Sequence, residues 1–279
     1  MKFRFTKMHG LGNDYVYVNA ATESLPTDLN ALSKEISDRH CGIGSDGLVL
    51  ITPSEEADFG MRMFNADGTE GKMCGNATRC IGKFVYEKGL TDKTNITLST
   101  LAGIKHLKLT VVNGRVEQVL VDMGKPEFSP EQIPVIASDK LIETPLATSK
   151  GEVKITTVSM GNPHCVVFVQ SLADVDVHGL GKEIENNPIF PERANVEFVE
   201  VLDDSHVKMR VWERGSGEPQ ACGTGACAVA VAAAVTGRCK RKCTVTLLGG
   251  DLVIEWRDSD GHVLMAGGAT TVFEGEYVF

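Results

Sequence analysis

The chain has 279 residues, 42% of them hydrophobic and 23% charged, with a net charge of -9. That is the composition of a globular protein, long enough for one large or two ordinary domains. The acidic balance reads as solubility and argues against nucleic acid as a partner, which needs a basic footprint.

The opening MKFRFTKMHG has no apolar core of a secretory leader, and the longest apolar run is about half of what a bilayer requires. A cytoplasmic location without a membrane partner is expected. In that setting the eight cysteines are expected as thiols rather than as a disulfide framework.

Phe3 and Phe5 alternate with polar residues as in a half-buried strand, and the chain turns at Gly10-Leu11-Gly12-Asn13 into a second strand, Tyr15 to Val18. A polar helical segment over 28–39 leads to His40-Cys41-Gly42-Ile43-Gly44-Ser45-Asp46-Gly47 and a strand, Leu48 to Ile51. The Gly-rich loop fits neither the Walker nor the dinucleotide spacing, so it reads as a tight turn. Phe64 to Gly89 then runs through a turn to Cys74. Ala77, Ile81, Phe84, Val85 and Lys88 follow at helical spacing, and Gly89 ends the helix. Strands are expected over 95–100, 105–112 and 116–121, the last two joined by the hairpin signal Asn113-Gly114. Residues 124–150 carry four of the ten prolines and no clear period, and read as the linker between halves.

The second half opens with strands over 154–158 and 166–169, separated by Gly161-Asn162-Pro163-His164, and continues through Arg193-Ala194-Asn195 into a strand over 196–201. The stretch from Trp212 to Gly237, WERGSGEPQACGTGACAVAVAAAVTG, puts Cys222 between a Gly-rich turn and an Ala/Val run. Gly237 and the basic residues 238–242 close that run as a helix, the basic residues reading as its solvated end. Being apolar nearly all round, it suits a helix enclosed by its own sheet. Strands over 244–248, 252–256 and 263–265 complete the half.

The two halves can be laid on each other. Cys222 lies 148 residues after Cys74, and the same offset relates Gly223 to Gly75, Glu218 to Glu70, Trp212 to Phe64 and Gly237 to Gly89. At 149, Gly161 and Asn162 answer Gly12 and Asn13. Several matches at nearly one offset imply an internal duplication. The expected fold is α+β, with two pseudo-symmetric domains, each a mostly antiparallel barrel-like sheet around a central helix, and the active site in the cleft between them. The expected boundaries are 1–122 and 123–267, with the strand 268–279 assigned to pack on the first domain.

Cys74 and Cys222 stand at the two helix starts, where free N–H groups and the dipole favour an anion. Both thiols are therefore expected to be more acidic than in water, with room for a carboxylate beside them. Two such groups fit the inversion of a carbon by proton transfer, where a base takes a proton from one face and an acid supplies one to the other. The remaining six cysteines read as structural. Cys222 with Cys227 and Cys239 with Cys243 lack the tight spacing of a zinc ribbon, so no metal is expected. His164 alone is as readily a core histidine as a functional one, and the other histidines have no partner assigned. Asn13 and Asn162 suit turns and ligands equally, and adjacent Glu213 and Arg214 leave a surface ion pair open.

Gly10-Leu11-Gly12-Asn13-Asp14, Met73-Cys74-Gly75-Asn76, Gly161-Asn162-Pro163-His164, Glu213-Arg214-Gly215 and Ala221-Cys222-Gly223-Thr224-Gly225 resemble, in that order, the diaminopimelate epimerase family, along nearly the whole chain. The resemblance implies cofactor-independent interconversion of LL- and meso-diaminopimelate, on the route to lysine and cell-wall peptide. It makes Cys74 and Cys222 the alternating acid and base, with His164 and Glu213 beside them. It assigns Asn13, Asn65, Asn162, Asn195, Glu213 and Arg214 to the substrate's amine and carboxylate groups, and Gly75, Asn76, Gly223 and Thr224 to the carboxylate at the reacting end. The fork of Arg214 matches a carboxylate on chemical grounds alone.

One departure stands out: the resemblance implies Gln where this chain has Gly47, so a contact from that position is lost or replaced, and Gly47 is left out of the site. Proline and hydroxyproline racemases are the nearest rival, but their first cysteine is followed by Gly-His rather than Gly75-Asn76. A thiol redox or zinc-binding protein is the rival from another class. The partner implied is a small molecule, without cofactor, metal, nucleic acid or membrane, and a homodimer is left open.

Overall fold

The computed structural model describes residues 2–279. The chain divides into two compact units, Met1–Val121 with Gly267–Phe279, and Asp122–Ala266. The elements run β1 (Lys2–Gly10), β2 (Asn13–Asn19), α1 (Leu29–Ser37), β3 (Gly47–Thr52), β4 (Phe59–Asn65), β5 (Glu70–Gly71), α2 (Gly75–Glu87), β6 (Asn95–Thr100), β7 (Gly103–Val112) and β8 (Arg115–Asp122). They continue with β9 (Thr144–Thr148), β10 (Gly151–Ser159), β11 (Pro163–Val169), α3 (Val177–Glu185), β12 (Asn195–Asp203), β13 (His206–Trp212), α4 (Gly223–Val235), β14 (Lys242–Leu247), β15 (Gly250–Trp256), β16 (Val263–Gly267) and β17 (Thr270–Val278).

In the first unit β1 and β2 pair antiparallel, β2 and β3 parallel, β3 and β4 antiparallel, β4 and β6 parallel, and β6, β7 and β8 antiparallel in succession. The second unit repeats this scheme step for step with β10, β11, β12, β13, β14, β15 and β16. Each unit also adds an antiparallel strand beside its first: β17 on β1, and β9 on β10. Those two outer strands come from unrelated places in the sequence, which is why no offset relates them.

Strand alternation explains how each sheet serves two helices. In the first unit Phe3, Phe5, Val16, Val18, Leu48 and Leu50 pack with Leu32 and Ile36 of α1. The intervening residues, Tyr15, Tyr17, Val49 and Ile51, are also buried and point to the opposite face, because side chains alternate along a strand. In the second unit Ile155, Cys165, Val167, Val196 and Phe198 pack with Val177, Leu180 and Ile184 of α3. Asp28 and Asp176 cap α1 and α3 by accepting from Ala31 N and Gly179 N. Ten of the 13 residues of α4 are buried, so this helix has no wet face. Burial of valines such as Val229 and Val231 stabilises the unit by roughly 1.5–3 kcal/mol each.

Two sequence expectations need correction, and one helix was not expected at all. The linker contains β9, whose residues alternate between exposed and half-buried and bind mainly through the β10 ladder. The helix α3 gave no expectation, since Gly179 and Gly181 weaken its propensity. Gly181 is there for contact: a Cβ at that position would lie 2.5 Å from Trp212 Cβ. The basic run 238–242 is not simply a solvated end. Arg238 lies 4.3 Å above the Phe168 ring and bonds Glu143, and Arg241 lies 3.8 Å above Trp256. No helix among the described residues is long and apolar enough to cross a membrane.

Candidate active site

In the first unit Cys74 is the N-cap of α2, in extended backbone with φ -133° and ψ 121°. Its thiol donates to Asn13 Oδ1 at 3.3 Å, and Asn76 Nδ2 donates to the same oxygen at 3.2 Å. Asn13 sits at the start of β2, and its own Nδ2 donates to Asp46 Oδ2 at 2.8 Å. Arg79, fully buried on α2, donates to Asn76 Oδ1 at 2.9 Å and to Gly268 O at 3.2 Å. Gly10 allows this packing, since a Cβ there would lie 3.0 Å from the Arg79 guanidinium and 3.1 Å from Asn76.

Behind Asn13 is a charged group that the sequence did not reveal. Lys7, nearly buried, lies 2.6 Å from Asp14 Oδ2 and donates to Gly44 O, while Arg39 bridges Asp14 and Asp46 at 2.7 and 2.9 Å. Burial alone would raise the Asp14 carboxyl, but hydrogen bonds from Arg39 and Lys7 hold it below the usual range. Asp46 moves the other way, raised by burial and by the Asp14 charge. Asn65 stands at the end of β4, opposite Gly47, and its carboxamide donates to Thr69 Oγ1 at 3.0 Å.

In the second unit Cys222 is the N-cap of α4 and is 6% exposed. Gly225 N donates to its sulfur at 3.4 Å, and Thr224 Oγ1 lies 3.6 Å away. Asn162 Nδ2 donates to Thr224 Oγ1 at 3.3 Å, and Asn162 Oδ1 faces His164 Nε2 at 3.0 Å. His164, fully buried on β11, turns its other nitrogen to Glu197 Oε1 at 2.6 Å. Asn195, which opposes His164 across the parallel pair, bridges Pro163 O and Arg214 N at 3.0 and 2.9 Å. Arg214 Nη1 donates to Glu192 O at 2.9 Å. The turn carrying Glu213 and Arg214 is secured by Glu185, which accepts from Gly215 N at 2.9 Å and from Trp212 Nε1 at 2.7 Å. Glu213 hydrogen-bonds the Cys222 thiol.

The expectation of an acidified thiol fails at Cys222. Burial, then the charges of Glu213 and Glu197, push it well above the ordinary thiol range, against a smaller pull from the Thr224 hydroxyl. One amide at 3.4 Å from the sulfur does not offset two carboxylates in a dry site.

Cys74, Asn13 and Asn76 thus come together in one unit, and Cys222, Thr224, Asn162, His164, Asn195 and Glu213 in the other, with Gly75 and Gly223 as first residues of the two helices. The sequence reading missed Glu197, Glu185 and Asp46. Glu197 had a visible signal: a charge inside the apolar run Val196-Glu197-Phe198-Val199 of a buried strand. Histidines without an assigned partner have them in the structure, among them His262 with Asp122 at 2.8 Å and His178 with Glu218 at 3.0 Å.

The duplicated α+β fold is one that solved epimerases and racemases share. A hydroxyproline epimerase from Agrobacterium vitis shares the fold at TM-score 0.69 and 16% identity, covering 99% of this chain and 91% of that one. The chain belongs to the diaminopimelate epimerase family, whose model matches residues 5–129 and 156–272. Diaminopimelate epimerase of Acetivibrio thermocellus is 56% identical over 274 residues, 98% of this chain and 98% of that one. That of Phocaeicola vulgatus is 58% identical over 274 residues, 98% of this chain and 97% of that one.

Proposed function

We propose that this protein interconverts LL- and meso-diaminopimelate by proton transfer at one α-carbon, without a cofactor, with Cys74 and Cys222 as the two acid-base groups. In each direction one thiolate takes the α-proton while the other thiol gives its S–H proton to the opposite face, so the enzyme ends with the two protonation states exchanged. The observation that carries the reading is the matched placement of the thiols. Each caps the enclosed helix of its own half, with a Gly amide next in the chain and an Asn or Thr side chain after it.

The α-proton is weakly acidic, and the carbanion formed needs its charge held. N–H groups at helix N-termini can stabilise it through the substrate carboxylate, with Asn76 and Thr224 as side-chain donors. The raised Cys222 thiol suits the acid role at rest. Glu213 and His164 are the nearby groups that would help it change state. Asn13, Asn65, Asn162, Asn195 and Arg214 are proposed for the charged ends of the substrate. The route served is lysine and peptidoglycan precursor synthesis, in the cytoplasm, with a small molecule rather than nucleic acid or membrane as partner.

The test is incubation with LL-diaminopimelate in heavy water without added cofactor or metal, following α-proton exchange and stereochemistry by NMR. Wild type is expected to invert and exchange, and Cys74→Ala and Cys222→Ala each to abolish inversion. Inversion that survives in either variant rejects the two-thiol assignment.

A further inference from the structure

Glu197 lies fully buried on β12 between Val196 and Phe198, and nothing in the reading above gives it a task. Its Oε1 meets His164 Nδ1 at 2.6 Å, while its Oε2 has no hydrogen-bond partner among the described residues. An unsatisfied buried oxygen costs about 1–3 kcal/mol, so a compensating role is to be sought.

The contacts that lead from Glu197 have a direction. His164 Nε2 faces Asn162 Oδ1 at 3.0 Å, and with that carbonyl oxygen turned towards it Nε2 is the donor of the pair. With its oxygen so engaged, Asn162 presents its NH2 group to Thr224 Oγ1. The Thr224 hydroxyl, having accepted, has its own proton to donate to Cys222 Sγ at 3.6 Å. The polarity follows from this amide orientation; the reversed amide would accept from Thr224 and donate to a bare Nε2, a state that the nitrogen spectrum of the ring distinguishes.

We propose that Glu197 is a positioning residue for the Cys222 half-reaction: it holds His164 in the form that donates from Nε2, which sets Asn162 and Thr224 as a donor chain ending on the Cys222 sulfur. The inference rests on the assignment of Cys222 as an acid-base group. When Cys222 gives its proton to the substrate carbon, the Thr224 O–H continues to donate to the resulting thiolate, and a charge-assisted bond replaces a neutral one. No proton travels along the chain; it only keeps its polarity. The pull of Thr224 on the Cys222 thiol is in the sense this requires. The other titratable groups that face the cluster are Glu213, towards Cys222, and Cys165, towards Glu197.

Two substitutions separate this role from simple packing. In Glu197→Gln the amide nitrogen can donate to an unprotonated Nδ1, so the Nε2–H ring and the chain persist. In Glu197→Leu neither can be enforced. The His164 ring nitrogens are followed by 15N NMR in free protein, beside kcat and KM for both diaminopimelate isomers, with folding checked by circular dichroism. Wild type and Glu197→Gln are expected to show protonated Nε2, with kcat within about three-fold of each other, while Glu197→Leu loses that preference and drops on the order of 10–100-fold in kcat with little change in KM, the range seen when outer partners of a reacting group are removed.

Unchanged ring signals or an intact kcat in Glu197→Leu would overturn the proposal, as would an unprotonated Nε2 in Glu197→Gln. Should the leucine variant not fold, Glu197→Ala takes its place under the same expectations, and a wild-type His164 spectrum or an intact kcat in it overturns the proposal. Ring signals that respond as expected in a protein that does not invert diaminopimelate would reject the function while leaving the chain in place.

Discussion

Asn13 accepts the Cys74 thiol proton at 3.3 Å through an amide whose other end is committed to Asp46 at 2.8 Å. The carboxylate of Asp46 takes the NH2 group, so only the carbonyl oxygen is left for the sulfur, and an acceptor beside a thiol favours its protonated form. Asn13→Asp would exchange that neutral oxygen for a charged one. A negative charge at hydrogen-bond distance disfavours the thiolate, so the basic form of Cys74 should appear at higher pH. The acid limb of kcat/KM, measured in both directions, is expected to move up by about one unit or more in the direction that uses Cys74 as base. An unmoved limb in both directions would remove Asn13 from the control of this thiol.

At Gly47, where the family resemblance leads one to expect Gln, the backbone leaves little space for a side chain. Gly47 has φ 154°, and a Cβ on it would lie 2.0 Å from Phe64 O and 2.9 Å from the Tyr15 ring. Phe64 lies on β4, paired with β3, and its oxygen accepts from Ser33 Oγ at 3.3 Å. Gly47→Gln is therefore expected to destabilise the protein by roughly 1–3 kcal/mol, seen as a lower Tm, without lowering KM. A stable variant with a lower KM would show that the strand can accommodate the longer side chain.

Motifs at fixed offsets made the halves legible, because duplicated turns keep their Gly, Asn and Cys residues. Both apolar helices and the Asn113-Gly114 hairpin could be read from periodicity and turn chemistry, and Asn113 and Gly114 do have φ 51° and 76°. The missing elements lacked such signals. The strand β9 is held by backbone pairing, and α3 by packing against Trp212. The same limit explains the site. Spacing placed Cys222 at a helix start and so suggested an acidic thiol, but its burial and the approach of Glu197 and Glu213 are tertiary facts. Arg39, Asp14 and Asp46 were likewise in view as residues, but what brings them together is the return of β3 beside β2.

Buried thiols outside the site give a signature in alkaline stability. Cys80 on α2 is raised by burial from 9.0 to about 11. Because the folded value is the higher one, its contribution is complete below the unfolded value and is lost as pH rises from 9.0 to about 11. Two units correspond to roughly 2–3 kcal/mol. Urea unfolding across that range should show wild type losing stability, and Cys80→Ala, though less stable at neutral pH, losing less of it by about that amount. Parallel slopes for the two proteins would show that Cys80 does not hold its proton in the folded state.

Gly225, one turn into α4, tests how tightly the sulfur is held. In a helix Gly→Ala ordinarily stabilises by about 0.5–1 kcal/mol. Here a Cβ would lie 2.9 Å from Glu197 Oε1 and 3.1 Å from Cys222 Sγ. The carboxyl is enclosed and fixed on His164 at 2.6 Å, and the sulfur belongs to the N-cap of the same helix, so one of them must move. Gly225→Ala is expected to gain no stability and to lose kcat on the order of 10–100-fold, since a displacement of about 1 Å in a reacting group suffices for such a loss. KM should change less, because the substrate-binding residues proposed on β2 and β4 are untouched. Normal turnover together with a raised Tm would mean that the helix start adapts to the methyl group, and that the close approach of Gly225 to Glu197 is packing without consequence for the thiol.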